Sequence, residues 1–272
     1  MIHVLKLGGG AGIDYGPVLD NLAGRLRAGE RWVLVHGASA MANALAEQAG
    51  YAVQTITSPG GHVSRYTDAR MIELYRTAAE MVNDSIVAQL ERGGAAVVGL
   101  SSPGVIRARR KEAIRAIRNG RQVVIRDDYS GTITGIDAGQ LGALLDAGVT
   151  PVVAPVALGE QGEALNIDGD LVAATIAHTL DAAALIILSN VPGLLRDVRD
   201  PSSVVAGFEI PEIERYGDLA QGRMKKKLIA AQQAEVIQTI IAGAHGTAPI
   251  DRALSGGGTH IWRRWSDAQF GA

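Results

Sequence analysis

Ile2-His3-Val4-Leu5-Lys6-Leu7-Gly8-Gly9-Gly10 opens the chain as a short aliphatic run that breaks into three glycines, with Gly12 just beyond. Such a run, followed by glycines and a helix-like stretch, reads as the strand–loop–helix unit of an α/β sheet. The unit recurs at residues 32–35, 95–100, 149–154 and 184–188, mostly aliphatic or β-branched. Strands that are apolar throughout, rather than alternating, belong to a parallel sheet covered on both faces. Between them, residues 64–92 place Met71, Leu74, Ala78, Met81, Ser85 and Leu90 near helical spacing, and residues 168–180 and 225–241 read as helices too. The last is carried by Leu228, Ala231, Ile237 and Ile240. The expected fold class is α/β, a mostly parallel sheet covered by helices on both faces.

Residues 122–136 break this rhythm. Their β-rich halves flank the polar turn 127–131 and predict an antiparallel hairpin, with a basic cluster at its start. Residues 111–118 read either as a short helix or as a strand turning at Asn119-Gly120. Glycine and charge interrupt the apolar pattern near residues 157–163, where a lobe boundary is expected. That gives an amino-terminal lobe, 1–160, with a basic hairpin region at 105–136, and a carboxyl-terminal lobe, 161–272.

The 272 residues carry 26 Lys+Arg, 28 Asp+Glu and no cysteine, for a net charge of −2. Hydrophobic content of 47% with 20% charged residues is globular composition, which excludes global disorder. The missing cysteines exclude disulfides, thiolate metal sites and cysteine nucleophiles. No stretch approaches the ~18 to 20 uninterrupted apolar residues of a membrane span, so a soluble, cytoplasmic protein is expected. Aromatics at 4% argue against a base-stacking nucleic-acid platform. The charge is uneven. Eight basic residues (Arg107, Arg109, Arg110, Lys111, Arg115, Arg118, Arg121, Arg126) and the single acid Glu112 make residues 107–126 +7, leaving −9 for the rest. A run of this kind is either a solvated surface or a dock for an anionic partner.

The glycines after Leu7 present backbone N–H groups that an anion can occupy. They form no Walker loop, because Lys6 precedes them. Nor do they form the dinucleotide fingerprint, because Ile13 stands where its third glycine belongs. A second strand ends His36-Gly37-Ala38-Ser39, and two such loops at neighbouring strand ends would face one crevice. Ser39 lacks the second glycine of a hydrolase elbow. Further polar candidates are Arg65, Asn166, Asp168, Asp170, Asn190 and Lys227. Arg65 opens the long helix and can fork onto a carboxylate. Asn166 and Asp170 share a face if their helix begins early; otherwise Asn166 or Asp168 caps it. The six histidines show no metal-binding spacing, and no metal site is expected. His36 reads as a hydrogen-bonded structural residue.

Taken together, Lys6-Leu7-Gly8-Gly9, His36-Gly37, Arg65, Leu165-Asn166-Ile167-Asp168-Gly169-Asp170, Leu188-Ser189-Asn190-Val191-Pro192-Gly193 and Met224-Lys225-Lys226-Lys227 resemble the amino acid kinase superfamily, in the family's order. The N-acetylglutamate kinase group is most similar. Ser58-Pro59-Gly60-Gly61-His62, Ala108-Arg109-Arg110-Lys111 and Arg126-Asp127-Asp128-Tyr129-Ser130-Gly131 resemble a branch that phosphorylates 2-aminoadipate, in some members also glutamate, held on a small acidic carrier protein. The resemblance implies a three-layer α/β/α sandwich around a largely parallel sheet of about eight strands, and ATP-dependent formation of an acyl phosphate in lysine synthesis, with arginine synthesis in some relatives. By the same resemblance Lys6 and Lys227 neutralise the transferring phosphoryl group and Asp170 orients them. Gly8, Gly9, Gly10, Ser189 and Asn190 meet the nucleotide, while Gly37, Ala38, Arg65 and Asn166 hold the acceptor. It implies Mg2+ held mainly by phosphates and water, a homodimer, and no nucleic-acid or membrane partner. Arg107, Arg109, Arg110, Lys111, Arg115 and Arg118 are the candidate carrier dock. Ala38, Asn190 and Arg223 depart from the acetylglutamate kinase pattern, which has glycine, aspartate and glycine there. The rival reading is an N-acetylglutamate kinase acting on the free small molecule.

Overall fold

The computed structural model describes residues 1–263 except 62, 102–103, 119–120 and 221. The first half runs β1 (Ile2–Leu7), α1 (Gly16–Arg27), β2 (Arg31–His36), α2 (Ser39–Gln48), β3 (Thr55–Thr57), β4 (Val63–Arg65), α3 (Ala69–Arg92) and β5 (Val97–Leu100). Next come β6 (Ile106–Arg110), β7 (Ile114–Arg118), β8 (Arg121–Ile125), β9 (Gly131–Ile136), α4 (Ala138–Asp146) and β10 (Thr150–Val153). The chain continues through β11 (Val156–Leu158), β12 (Ala164–Asn166), α5 (Gly169–Thr179), β13 (Ala184–Ser189), β14 (Gly207–Glu209) and a 3-10 helix, Ile210–Leu219. It ends with α6 (Arg223–Ala234), β15 (Gln238–Gly243), α7 (Pro249–Leu254) and β16 (Thr259–Trp262).

Among the described residues, eight strands form the main sheet in the order β14-β16-β15-β13-β1-β2-β10-β5. The five apolar runs legible in sequence are five contiguous parallel strands of it, β13-β1-β2-β10-β5, with β5 at one edge. Strand alternation sorts the faces. Val4, Val33, Val35, Leu185 and Ile187 pack with α4, α5 and α6 on one side. Leu5, Leu7, Trp32, Leu34, Ile186 and Leu188 pack with α1, α3 and α7 on the other. This is the three-layer sandwich. It also fixes the directions of two polar residues: Lys6 leaves β1 on the α5 side, and His36 leaves β2 on the α3 side.

Two smaller sheets, β12-β11-β6-β9 and β4-β3-β7-β8, stand beside the main one. They overturn the hairpin expected over residues 122–136. β8 pairs with β7, from Ile114↔Ile125 to Arg118↔Arg121, whereas β9 pairs with β6 in the other sheet. The turn 127–131 is thus a crossing between sheets, made so by Asp128, whose buried carboxylate accepts from Thr67 N (2.9 Å) and Ser130 N (2.7 Å). Residues 111–118 hold the strand β7 rather than a helix, while Asn119-Gly120 lie outside the described residues.

Two helix expectations also shift. The helix expected over 225–241 ends at Ala234, because Glu235 turns to φ +49°, and the β-branched residues beyond it form β15. Arg65 does not open α3. It closes β4, and α3 starts after Asp68, whose carboxylate accepts from Met71 N at 2.8 Å. The residues 157–163, where a lobe boundary was expected, span the turn of the β11–β12 hairpin.

Candidate active site

The crevice lies at the carboxyl ends of β1, β2 and β13, where the glycine loops leave the sheet. The two loops after β1 and β2 touch backbone to backbone. A Cβ on Gly9 would lie 2.2 Å from the Gly37 carbonyl carbon, and one on Gly37 would lie 2.5 Å from Gly9 N. Ala40 N donates to Gly9 O (2.7 Å), and the buried Tyr15 hydroxyl reaches Gly8 O (2.9 Å) and Gly37 O (3.2 Å). Burial pushes the Tyr15 phenol up to about 12, which keeps that donor protonated.

Two expected anion donors are not free. Gly8 N–H donates to Leu188 O (2.9 Å) and Gly37 N–H to Leu7 O (2.9 Å), because both residues still extend the sheet ladder. The N–H groups of Gly9, Gly10 and Ala38 have no protein acceptor among the described residues. Ser189, at the end of β13, adjoins Gly8, and its buried Oγ has no partner among the described residues. Asn190 beside it is exposed.

On the α5 side, Lys6 Nζ lies 2.8 Å from Asp170 Oδ1, and Lys227 Nζ lies 3.0 Å from Asp170 Oδ2. All three side chains are buried. Asp170 sits in the first turn of α5, where the helix dipole favours a carboxylate. Lys6 Cε packs beside Gly169, 3.4 Å from the position of a Cβ there, which is ordinary van der Waals contact. Burial alone would raise the Asp170 pKa, but the charges and hydrogen bonds of Lys6 and Lys227 outweigh it. The carboxyl is held well below the ordinary carboxylate range. Lys227 is lowered from its ordinary value, chiefly by burial and then by the Lys6 charge, against the pull of Asp170. The site therefore holds two buried cations on one anion, a net positive charge with nothing opposite it.

Asp168 is the residue that caps α5, accepting from Asp170 N (2.9 Å), and Lys226 Nζ meets its Oδ2 at 2.9 Å. This second ion pair ties α6 to α5 one residue away from the first. Asn166 is not on the helix; it ends β12. Its Nδ2 donates to Thr67 Oγ1 (3.1 Å), and that hydroxyl donates to Arg65 O (3.4 Å), so Thr67 brings Asn166 and Arg65 to one place. Arg65 is half-buried and, among the described residues, bonds only neutral acceptors: Ser39 O (3.2 Å), Asn43 Oδ1 (2.6 Å) and Met71 Sδ (3.8 Å).

His36 is fully buried, accepts at Nε2 from Asn83 Nδ2 (3.0 Å), and is pushed down by burial to about 4. It is neutral and structural. Nothing in sequence spacing pointed to Tyr15, Thr67, Asn83 or Asp128 as parts of this frame, since the partners that place them lie 7 to 99 residues away. The Lys226–Asp168 pair was hidden among three consecutive lysines.

The basic residues occupy both small sheets. Arg107 and Arg109 are exposed on one face of β6, Lys111 follows, and Arg115 is exposed on β7. The side chain of Arg118 lies outside the described residues. Arg110 is engaged: its Nε donates to Asp128 O (2.8 Å), and its guanidinium sits 3.7 Å over the Tyr129 ring. It braces the 127–130 crossing rather than a free surface. Among the described residues, no group of three or more His, Asp or Glu could hold a metal, and no helix is long and apolar enough to cross a membrane.

Buried paired ammonium groups beside unpaired amides are an arrangement for a polyanion, and comparison with known proteins gives it a lineage. A protein of Deinococcus radiodurans named LysW-aminoadipate kinase is 40% identical over 264 residues, covering 95% of this chain and 90% of that protein. Its namesake in Thermus thermophilus is 41% identical over 266 residues, covering 95% and 99%. The solved structure of N-acetylglutamate synthase from Neisseria gonorrhoeae, complexed with coenzyme A and N-acetyl-glutamate, shares the fold with a TM-score of 0.80. It is 21% identical, and the match covers 97% of this chain and 60% of that one. The model of the amino acid kinase family matches residues 1–242. The chain belongs to the amino acid kinase family.

Proposed function

We propose that this protein transfers the γ-phosphoryl group of ATP to the side-chain carboxylate of 2-aminoadipate held on a small acidic carrier protein, with glutamate as a second acceptor. The single observation that carries the reading is the buried Lys6–Asp170–Lys227 bridge beside the free amides of Gly9 and Gly10. A carboxylate is already ionised at pH 7, so its attack needs no general base, and His36 is too buried and too acidic to be one. One oxygen of the acceptor carboxylate bonds to the γ-phosphorus while the bond to the bridging oxygen breaks, leaving ADP and an acyl phosphate.

The barrier to that step is the approach of two anions. Lys6 and Lys227 meet it with two ammonium groups that Asp170 holds in place, and the free amides add donors that need not reorganise. Magnesium, carried by the nucleotide, would neutralise further phosphate charge; with Asp170 already saturated by two lysines, phosphates and water would supply most of its ligands. Arg65 and Asn166, joined through Thr67, are placed to hold the amino-acid end of the acceptor, with Ala38 N–H beside them.

Arg107, Arg109, Lys111 and Arg115 form an exposed cationic surface on a chain whose remainder is acidic. Such a surface steers an acidic carrier more than it binds it. Lysine synthesis by a cytoplasmic homodimer is the setting this reading implies, with arginine synthesis if glutamate is accepted. The test is ADP release with carrier-linked aminoadipate, carrier-linked glutamate and free N-acetylglutamate. Turnover of the free compound at the rate of the carrier-linked ones would favour an acetylglutamate kinase and refute the carrier reading.

A further inference from the structure

Arg223 begins α6, one helical turn before Lys227 and on the same face. Its guanidinium reaches back over the first glycine loop, where Nη1 lies 3.3 Å from the position of a Cβ on Gly10. It makes no ion pair and no hydrogen bond with another described residue. A like charge lies within its reach, since the Arg223 charge acts on Arg65 and, after burial, helps to lower it. Arg65 in turn touches only a carbonyl, an amide oxygen and a thioether. Two guanidiniums thus face the same opening without a carboxylate between them, and the nearer edge of that opening is lined by the unpaired N–H groups of Gly9 and Gly10.

A cation held against amide donors gains nothing from those donors, which are themselves positive at the hydrogen. The arrangement becomes favourable when an anion lies between them. We propose that Arg223 is a phosphate-contacting residue of the transfer step, closing the γ-phosphoryl group against Gly9 and Gly10 from the same helix face as Lys227. This rests on the kinase reading above and adds a third cation to it. Two features assign the anion to the phosphoryl group rather than the acceptor. Arg223 lies against Gly10, in the glycine loop, and it shares a helix face with Lys227. Arg65, by contrast, is anchored on Ser39 and Asn43 at the acceptor end. A planar fork of donors also suits a trigonal phosphoryl group better than a point charge does.

The experiment compares Arg223→Ala, Arg223→Lys and the unchanged protein with the same carrier-linked acceptor. The expected result for Arg223→Ala is a 10- to 100-fold lower kcat with acceptor KM within about threefold, by analogy with the loss of one transition-state donor. Arg223→Lys should recover part of the loss. In calorimetry, binding of ADP with aluminium fluoride and acceptor should weaken by a similar factor, while binding of ADP alone stays within about threefold. Because the side chain bonds to no other described residue, the melting temperature should hold; if Arg223→Ala does not fold, Arg223→Gln is measured the same way.

An unchanged kcat overturns the proposal. So does a loss confined to acceptor KM, which would reassign Arg223 to the acceptor's own anion. Failure of the unchanged protein to turn over any carrier-linked acceptor would instead refute the kinase reading, so the two failures are separable.

Discussion

Asp170→Asn is the substitution that most directly tests how the site is built. The carboxylate lies 2.8 Å from Lys6 Nζ and 3.0 Å from Lys227 Nζ, and all three groups are buried. Asparagine keeps the shape and removes the charge, so two ammonium groups face each other with only an amide between them. At a separation of about 5 Å and an effective dielectric constant of about 20, that repulsion alone is about 3 kcal/mol. Removing one partner of a buried ion pair costs about 3–5 kcal/mol in general, because the remaining charge stays buried and uncompensated. At about 2–4 °C per kcal/mol for a chain of this size, the melting temperature should fall by roughly 6–20 °C. The loss should shrink at alkaline pH. Burial and Lys6 already lower Lys227, and without Asp170 it falls further, so the unfolded chain binds more protons than the folded one over a wider range and stability rises with pH there. Saturating ATP should also narrow the gap, since its phosphates replace the missing anion. Thermal unfolding at several pH values, with and without nucleotide, reads all three effects. A variant that melts within about 2 °C of the parent and keeps its kcat within about threefold would refute the bridge as the organising element of the site.

Gly9→Ala should lower turnover at least tenfold and cost about 1–3 kcal/mol by overpacking, because the new Cβ meets backbone atoms at 2.2 and 2.4 Å; denaturant titration and ADP release measure both. His36, held near 4 by burial, binds fewer protons folded than unfolded between pH 6.5 and 4. Its share of stability is therefore intact above pH 6.5 and falls by about 3 kcal/mol as pH drops to 4, a slope that His36→Gln should flatten in acid titration. Arg107→Ala with Arg109→Ala should raise KM for carrier-linked acceptor several-fold and weaken its dependence on salt between ~50 and 300 mM, with kcat kept. Arg110→Ala should instead lower the melting temperature, since that side chain clamps Asp128 and Tyr129.

What could be read from the sequence follows from how each feature is encoded. β13, β1, β2 and β10 are covered on both faces, so their residues are largely apolar and stand out in a window. β14 and β16 carry no such signal, with three and four residues apiece at the sheet's edge. The helix α6 and strand β15 merged because Ile237 and Ile240 continue the helical spacing, and the break lies in one backbone angle at Glu235. The hairpin over 122–136 failed for another reason: which strand pairs with which is decided by Asp128 reaching Thr67, 61 residues away. At the site, Lys6, Asp170 and Lys227 were assembled from the resemblance, and the structure brings them within hydrogen-bond distance. Tyr15 and the engaged amides of Gly8 and Gly37 were out of reach, because a hydrogen bond between distant backbone groups leaves no mark on residue type.

The same long-range ties account for how a site of like charges stays folded. Two buried lysines on one aspartate are unfavourable unless something else fixes their positions, and three features do so. β1 aims Lys6 toward α5, Asp168 caps α5 and pairs with Lys226 beside Lys227, and Tyr15 locks the two glycine loops together. The first and last belong to the scaffold alone, while Asp168 adds both a cap and a half-buried ion pair between α5 and α6. The strain of the net positive site is thus carried by the sheet and the helix ends, and it is relieved when a polyanion enters. A phosphoryl-transfer site needs that asymmetry. If the lysines were neutralised in the free protein, binding the nucleotide would first have to break their pairs, and the cost would fall on the step the enzyme has to accelerate.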